Sequence, residues 1–122
     1  MSARHAVGLL ALVATFSATP AAAQSRFLRQ PDVGNGQIAF VHANDVWTVG
    51  RSGGRAVRLT TAQGAETHPH FSADGQWIAF SGEYGGNTDV FVVPATGGQP
   101  KRLTWHPGND VVQGWTPSGE VL

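Results

Sequence analysis

The sequence states one pattern twice, 44 residues apart. Gly53-Gly54-Arg55-Ala56-Val57-Arg58-Leu59-Thr60 returns as Gly97-Gly98-Gln99-Pro100-Lys101-Arg102-Leu103-Thr104. Asp45-Val46-Trp47-Thr48-Val49 returns as Asp89-Val90-Phe91-Val92-Val93, and Phe71-Ser72-Ala73-Asp74-Gly75 as Trp115-Thr116-Pro117-Ser118-Gly119, at the same offset. Self-similarity at this period, in short strand-like runs, is the pattern of a β-propeller blade. A blade cannot bury both faces alone, so each repeat relies on its neighbours for a core. A sandwich or jelly roll is also all-β, but neither demands one motif at one fixed offset.

The local signals agree. Ile38–Val41, Asp45–Val49, Ala56–Thr60 and Pro69–Ser72 read as four strands, separated by His42-Ala43-Asn44, Gly50–Gly54 and the polar stretch Thr61–Thr67. Ala73-Asp74-Gly75 is a tight turn in which glycine tolerates positive φ and aspartate bonds the nearby backbone. The second copy runs Trp77–Phe80, Asp89–Val93, Lys101–Thr104 and Val111–Trp115, with a longer glycine-rich connection at Ser81–Thr88. That insertion places the two Ile-Ala-Phe motifs 40 apart, while everything later stands 44 apart. Pro100 takes the place of Ala56, which suits the edge strand of a blade.

An export signal precedes the repeat. Arg4 and His5 are followed by eleven mostly apolar residues, Ala6–Phe16, then Pro20 and the small triplet Ala21-Ala22-Ala23. The apolar run is short of the roughly 20 residues of a membrane span, and cleavage after Ala23 leaves Gln24 as the mature start. Export with no cysteine suits a bacterial periplasmic or secreted location, with no membrane span after cleavage. Once Arg4 goes with the signal, seven basic residues face eight acidic ones, a balance that does not suit a nucleic-acid partner. The expected layout is residues 1–23 as signal-peptide helix, 24–34 as a lead-in without clean periodicity, 35–75 as a first repeat and 76–122 as a second, truncated one. The predicted fold is all-β, about two four-stranded blades of a larger β-propeller.

Several residues invite a chemical reading. Gly50-Arg51-Ser52-Gly53-Gly54 fits G-x-S-x-G, but a nucleophile elbow opens a helix, and here strands lie on both sides, so a hairpin turn is expected. His68-Pro69-His70 places two imidazoles at i and i+2; His42 and His106 have no evident register to complete a metal set. Asp45 and Asp89 recur at the common offset, which points to structural bonding of turn amides, as does the turn position of Asp74. Phe40, Trp47, Phe71, Trp77, Phe80, Phe91, Trp105 and Trp115 are expected to pack between blades. No residue is assigned a catalytic, cofactor-binding or metal-binding role, and no cofactor is expected.

The wording of the repeat resembles the propellers of the tricorn protease family. The resemblance rests on Ile38-Ala39-Phe40, Asp45-Val46-Trp47, Arg58-Leu59-Thr60 and Phe71-Ser72-Ala73-Asp74-Gly75, and in the second copy on Phe80–Tyr84, Gly86–Val90, Arg102–Gly108 and Gln113–Pro117. The propeller of the Tol system and those of prolyl-oligopeptidase-like enzymes and some amidohydrolases use related repeats. The tricorn resemblance implies an exported serine peptidase whose N-terminal propeller gates or guides peptides or unfolded polypeptide. It implies PDZ-like and catalytic domains following in cis, and a homo-oligomeric parent. None of that family's catalytic motifs has a counterpart here. The alternatives are a non-catalytic periplasmic propeller that binds a protein partner, as in the Tol system, or the propeller of an amidohydrolase or prolyl-oligopeptidase-like enzyme.

Overall fold

A computed structural model describes residues 28–122; the predicted signal segment 1–23 lies outside the described residues. The described residues form eight strands: β1 (Arg29–Gly34), β2 (Gln37–His42), β3 (Asp45–Gly50), β4 (Val57–Arg58), β5 (Ala65–Phe71), β6 (Trp77–Glu83), β7 (Thr88–Pro94) and β8 (Lys101–Arg102). They make two four-stranded sheets, ordered β1-β2-β3-β4 and β5-β6-β7-β8, with every neighbouring pair antiparallel. Sequential meandering strands in repeated four-stranded sheets are propeller blades.

The hairpins explain the order. Asn35 and Gly36 have φ of 46° and 72°, and Ala43 and Asn44 have 50° and 69°. Positive φ at both central residues gives two-residue turns whose twist matches that of the paired strands. β2 then pairs with β3 without a register break, from Gln37↔Gly50 to His42↔Asp45. Glu83 pairs with Thr88, so β6 runs three residues further than the Ile-Ala-Phe motif suggested and the glycine-rich connection shortens to Tyr84–Asn87.

The sheets are one strand out of phase with the sequence repeat. Of residues 69–72, expected as the last strand of the first repeat, all but Ser72 belong to β5, the first strand of the second sheet. A repeat fixes the period but not where a sheet begins. Hydrogen bonding decides it: the Ala73-Asp74-Gly75 turn folds β5 onto β6, with His70↔Ala79 and Phe71↔Ile78 in register. The lead-in is likewise ordered. Its last six residues form β1, where a bulge between Arg29 and Asp32, with Gln30 at φ 51°, breaks the alternation a strand normally shows. Ala65–Thr67, expected in a polar loop, also join β5. Val111–Trp115, expected as a strand, make only an isolated bridge, Trp115↔Val121.

The sheets pack face to face, closest along β1 and β5. Between them lies one apolar cluster: Ala39, Val46 and Leu59 from the first sheet and its trailing loop, against Phe71, Ile78, Phe80, Phe91, Val93 and Ala95. Phe80 and Phe91 stack with centroids 5.7 Å apart and planes 18° from parallel. A second cluster on the far side of the second sheet joins Ala79, Val90 and Val92 to Val112, with Leu103, Trp115 and Val121 against it. The second sheet is therefore a layer whose two faces belong to different cores.

Candidate functional site

Where the two sheets approach most closely, β1 and β5 carry a polar row. The His68 backbone N–H donates to Gln30 Oε1 at 3.0 Å, and Gln30 Nε2 stands 3.3 Å from His68 Nε2. Two residues on, the Phe71 N–H donates to Asp32 Oδ2 at 2.7 Å, and His70 Nδ1 lies 3.8 Å from Asp32 Oδ1. Gln30-Pro31-Asp32 and His68-Pro69-His70 are equivalent in register, since Asp32 pairs with Ala39 as His70 pairs with Ala79. Both strands bulge there, and His68 has φ 53°. The bulges turn these side chains toward one another across the gap between sheets. The result is a set of hydrogen-bonding groups, chemically suited to peptide groups, on the inner strands.

The histidine pair is thus real as a feature, but the four described histidines stand in different settings. His42 packs edge-on against Trp47 at 5.7 Å, and His106 Nδ1 accepts the Gly108 N–H at 3.0 Å. His68 Nδ1 and His42 Nδ1 are buried without a partner. Among the described residues, no group of three or more His, Cys, Asp or Glu is placed to hold a metal.

The carboxylates are structural. Asp45 and Asp89, expected to bond turn amides, instead pair with Arg58 at 2.8 Å and Arg102 at 2.6 Å. The arginines come from the Arg-Leu-Thr motif of the adjoining edge strand, so two repeated motifs form one contact twice. Asp74 does bond its turn, accepting from Ser72 Oγ at 2.6 Å and the Gln76 N–H at 3.0 Å; these bonds lower its pKa. Ser52 lies exposed in a turn closed by Gly53 N–H to Gly50 O at 2.8 Å, and β4 follows rather than a helix.

Glu66 is a buried carboxyl that no sequence motif marks. It sits on β5 at 1% exposure. Its Oε2 accepts the Val46 N–H of the other sheet at 3.0 Å and the Thr60 hydroxyl, while Tyr84 donates to Oε1. Its own N–H donates to Asn44 O at 2.9 Å. Burial pushes the Glu66 carboxyl above its usual range, against the hydrogen bonds from Thr60, Tyr84 and Val46. Burial and the neighbouring carboxyl keep the Tyr84 phenol protonated well past the usual tyrosine range. A glutamate in a polar run between a loop and a strand was the only signal in the sequence.

The aromatics divide. Phe71, Phe80 and Phe91 pack between the sheets, and Trp115 lies against the second cluster, its indole N–H donating to His70 O at 2.8 Å. Trp105 does not pack between these two sheets: it is 69% exposed, with the Arg102 guanidinium 5.8 Å from its ring. Trp77 is 44% exposed and lines an open groove of about 760 Å³ on the outer face of the second sheet.

Two stacked four-stranded meanders, each carrying the same aspartate–arginine contact between its third and fourth strands, define this chain as consecutive blades of a β-propeller. The chain belongs to the tricorn protease N-terminal β-propeller domain family, which it matches over residues 25–122. It is 38% identical over 97 residues to tricorn protease homolog 1 of Streptomyces coelicolor, an alignment that covers 79% of this chain and 9% of that protein. The crystal structure of the tricorn protease superposes with a TM-score of 0.68 at 25% identity, over 78% of this chain and 10% of that one. A TolB structure from Agrobacterium tumefaciens has a TM-score of 0.61 at 24% identity over 68% of this chain and 31% of that one, a likeness of fold alone. The chain thus spans about a tenth of the length of its tricorn relative.

Proposed function

We propose that these two blades form part of a propeller that guides or gates peptides toward the catalytic domain of a tricorn-like serine peptidase. The observation that carries this reading is the family match over residues 25–122, joined to the polar row on the inner strands. The peptidase activity belongs to the relatives by name, and this chain's contribution is passage and selection, not bond cleavage. Gln30, Asp32, His68 and His70 offer donors and acceptors to a passing polypeptide backbone.

The test is a chimera in which residues 28–122 replace the matching segment of the Streptomyces coelicolor homolog. The expected result is a peptidase that cleaves both short and long fluorogenic peptides, with His68→Ala/His70→Ala altering the long ones selectively. A chimera that assembles but cleaves nothing, or one in which both lengths respond equally, overturns the reading.

The same reading includes export to the periplasm or medium, supported by the basic start, apolar run and Ala21-Ala22-Ala23 of the first 23 residues. Fusing residues 1–30 to alkaline phosphatase tests it in a bacterial host. Activity is expected outside the cytoplasm, and activity retained only inside contradicts export.

A further inference from the structure

A single backbone N–H fixes the chemistry between Gln30 and His68. The His68 N–H can only donate, and it lies 3.0 Å from the Gln30 side-chain oxygen. That sets the orientation of the Gln30 amide, whose NH2 group then faces His68 Nε2 at 3.3 Å. An amide NH2 can only donate, so Nε2 accepts and the proton of the neutral ring sits on Nδ1. Nδ1 is buried without a partner. The bulge between Thr67 and His70 interrupts pairing with β6 at His68, so Gln30, from the other sheet, is the partner of the ring.

We propose that protonation of its histidines rewires this seam between blades: His68, once charged, releases Gln30, and His70, once charged, takes hold of Asp32. A charged imidazole carries N–H on both nitrogens, so Nε2–H meets the Gln30 NH2 donor against donor. The amide cannot turn over to accept it without setting its NH2 against the His68 backbone N–H. Two residues on, the sign is opposite. Asp32 holds the Phe71 N–H through Oδ2, and its Oδ1 stands 3.8 Å from His70 Nδ1, too far for a neutral hydrogen bond and close enough for an ion pair. Gln30 and His68 have φ of 51° and 53°, a backbone region that non-glycine residues keep only where surrounding contacts impose it, and the bridge is one such contact. The other ionisable groups of the strands packed here are engaged or exposed. Glu66 is taken up by Val46, Thr60 and Tyr84, Asp45 by Arg58, and His42 packs on Trp47. Arg29, at the start of β1, and Glu83, at the end of β6, are exposed. Release leaves the Gln30 N–H groups for a peptide carbonyl; that consequence rests on the peptide-guiding reading, whereas the rewiring itself does not.

Nuclear magnetic resonance of the labelled chain, with no peptide present, tests the rewiring, so the two readings fail separately. Long-range proton–nitrogen spectra near pH 8, above the ordinary histidine range, are expected to show His68 protonated at Nδ1 and bare at Nε2. On acidification to about pH 5, the Gln30 NH2 signals are expected to move together with the His68 ring. The protection factor of the His68 amide is expected to fall about threefold or more, the equivalent of one lost neutral hydrogen bond. Gln30→Glu supplies a carboxylate that accepts from both the backbone N–H and the charged ring, so in that variant the protection is expected to hold or rise on acidification. A His68 ring protonated at Nε2 near neutrality, or Gln30 signals that stay still while His68 titrates, overturns the proposal, and so does a Gln30→Glu chain that loses protection as the wild type does.

Discussion

Glu66 on β5 accepts the backbone N–H of Val46 on β3 at 3.0 Å, joining the inner strand of one sheet to the third strand of the other. Thr60 and Tyr84 complete the contact, so one buried side chain ties together both sheets, the β4–β5 connection and the end of β6. The carboxyl is buried beside the apolar cluster between the sheets, and its removal leaves the Thr60 and Tyr84 hydroxyls without this partner.

Glu66→Ala is accordingly expected to destabilise the chain by about 2–3 kcal/mol, the scale of leaving buried polar groups unsatisfied. Glu66→Gln, which keeps an acceptor oxygen, should lose less than half as much. Urea unfolding followed by tryptophan fluorescence measures both. Equal losses for the two variants contradict a hydrogen-bonding role.

The same carboxyl makes the fold sensitive to pH. Its folded pKa is raised above the ordinary value of 4.5, chiefly by burial. The sign follows: the neutral form is favoured in the folded state, so the stabilisation is complete below 4.5 and is lost as pH rises through the raised value. Midpoints of thermal unfolding are expected to fall on raising the pH from that ordinary value toward neutrality. Glu66→Gln should flatten that slope. A wild-type slope unchanged in the variant contradicts the assignment.

Gly34 lies against Phe71, where a Cβ on residue 34 would overlap the ring. Phe71→Ala is expected to cost about 3–5 kcal/mol as a large-to-small core change, and Gly34→Ala about 1–3 kcal/mol by overpacking. The double variant should be more stable than the two losses summed, by about 1 kcal/mol or more, because residues in contact couple. Strict additivity in the double-mutant cycle contradicts the contact.

Asp45→Asn and Asp89→Asn are expected to weaken their own sheets by similar amounts, about 1 kcal/mol each, since each breaks an ion pair whose arginine is partly exposed. Hydrogen exchange of the β3 and β7 amides reads the two sheets separately. A loss in one with none in the other contradicts their equivalence.

The repeat made much of this legible. Val46 and Val90 donate to Thr60 and Thr104 at 2.9 Å each, and Leu59 and Leu103 donate to the carbonyls of Val46 and Val90 at 2.9 and 2.8 Å. Those are the motifs that recur at 44. The inner strands stayed hidden because Gln30 and His68 are 38 apart, the Ile-Ala-Phe strands 40 and the later strands 44. Longer connections before and after β6 absorb the differences, and bulges at Gln30 and His68 blur the alternation further. Glu66 was invisible for another reason: its counterpart at 44 is Asp110, whose shorter side chain does not reproduce the contact, so no repetition marked it. The polar row needed both corrections at once, a strand where the sequence showed a lead-in and a register that the dominant period conceals.

The central claim is that β1–β4 and β5–β8 are successive blades, meeting through β1 and β5. Nuclear Overhauser contacts in the isotopically labelled chain test it most directly. The account predicts cross-peaks between the Phe71 ring and Gly34 Hα, between Val46 HN and the Glu66 side chain, and across β5 and β6 at His70 and Ala79. Cross-peaks that instead pair residues 65–71 with β4, without contact between Phe71 and Gly34, would contradict it.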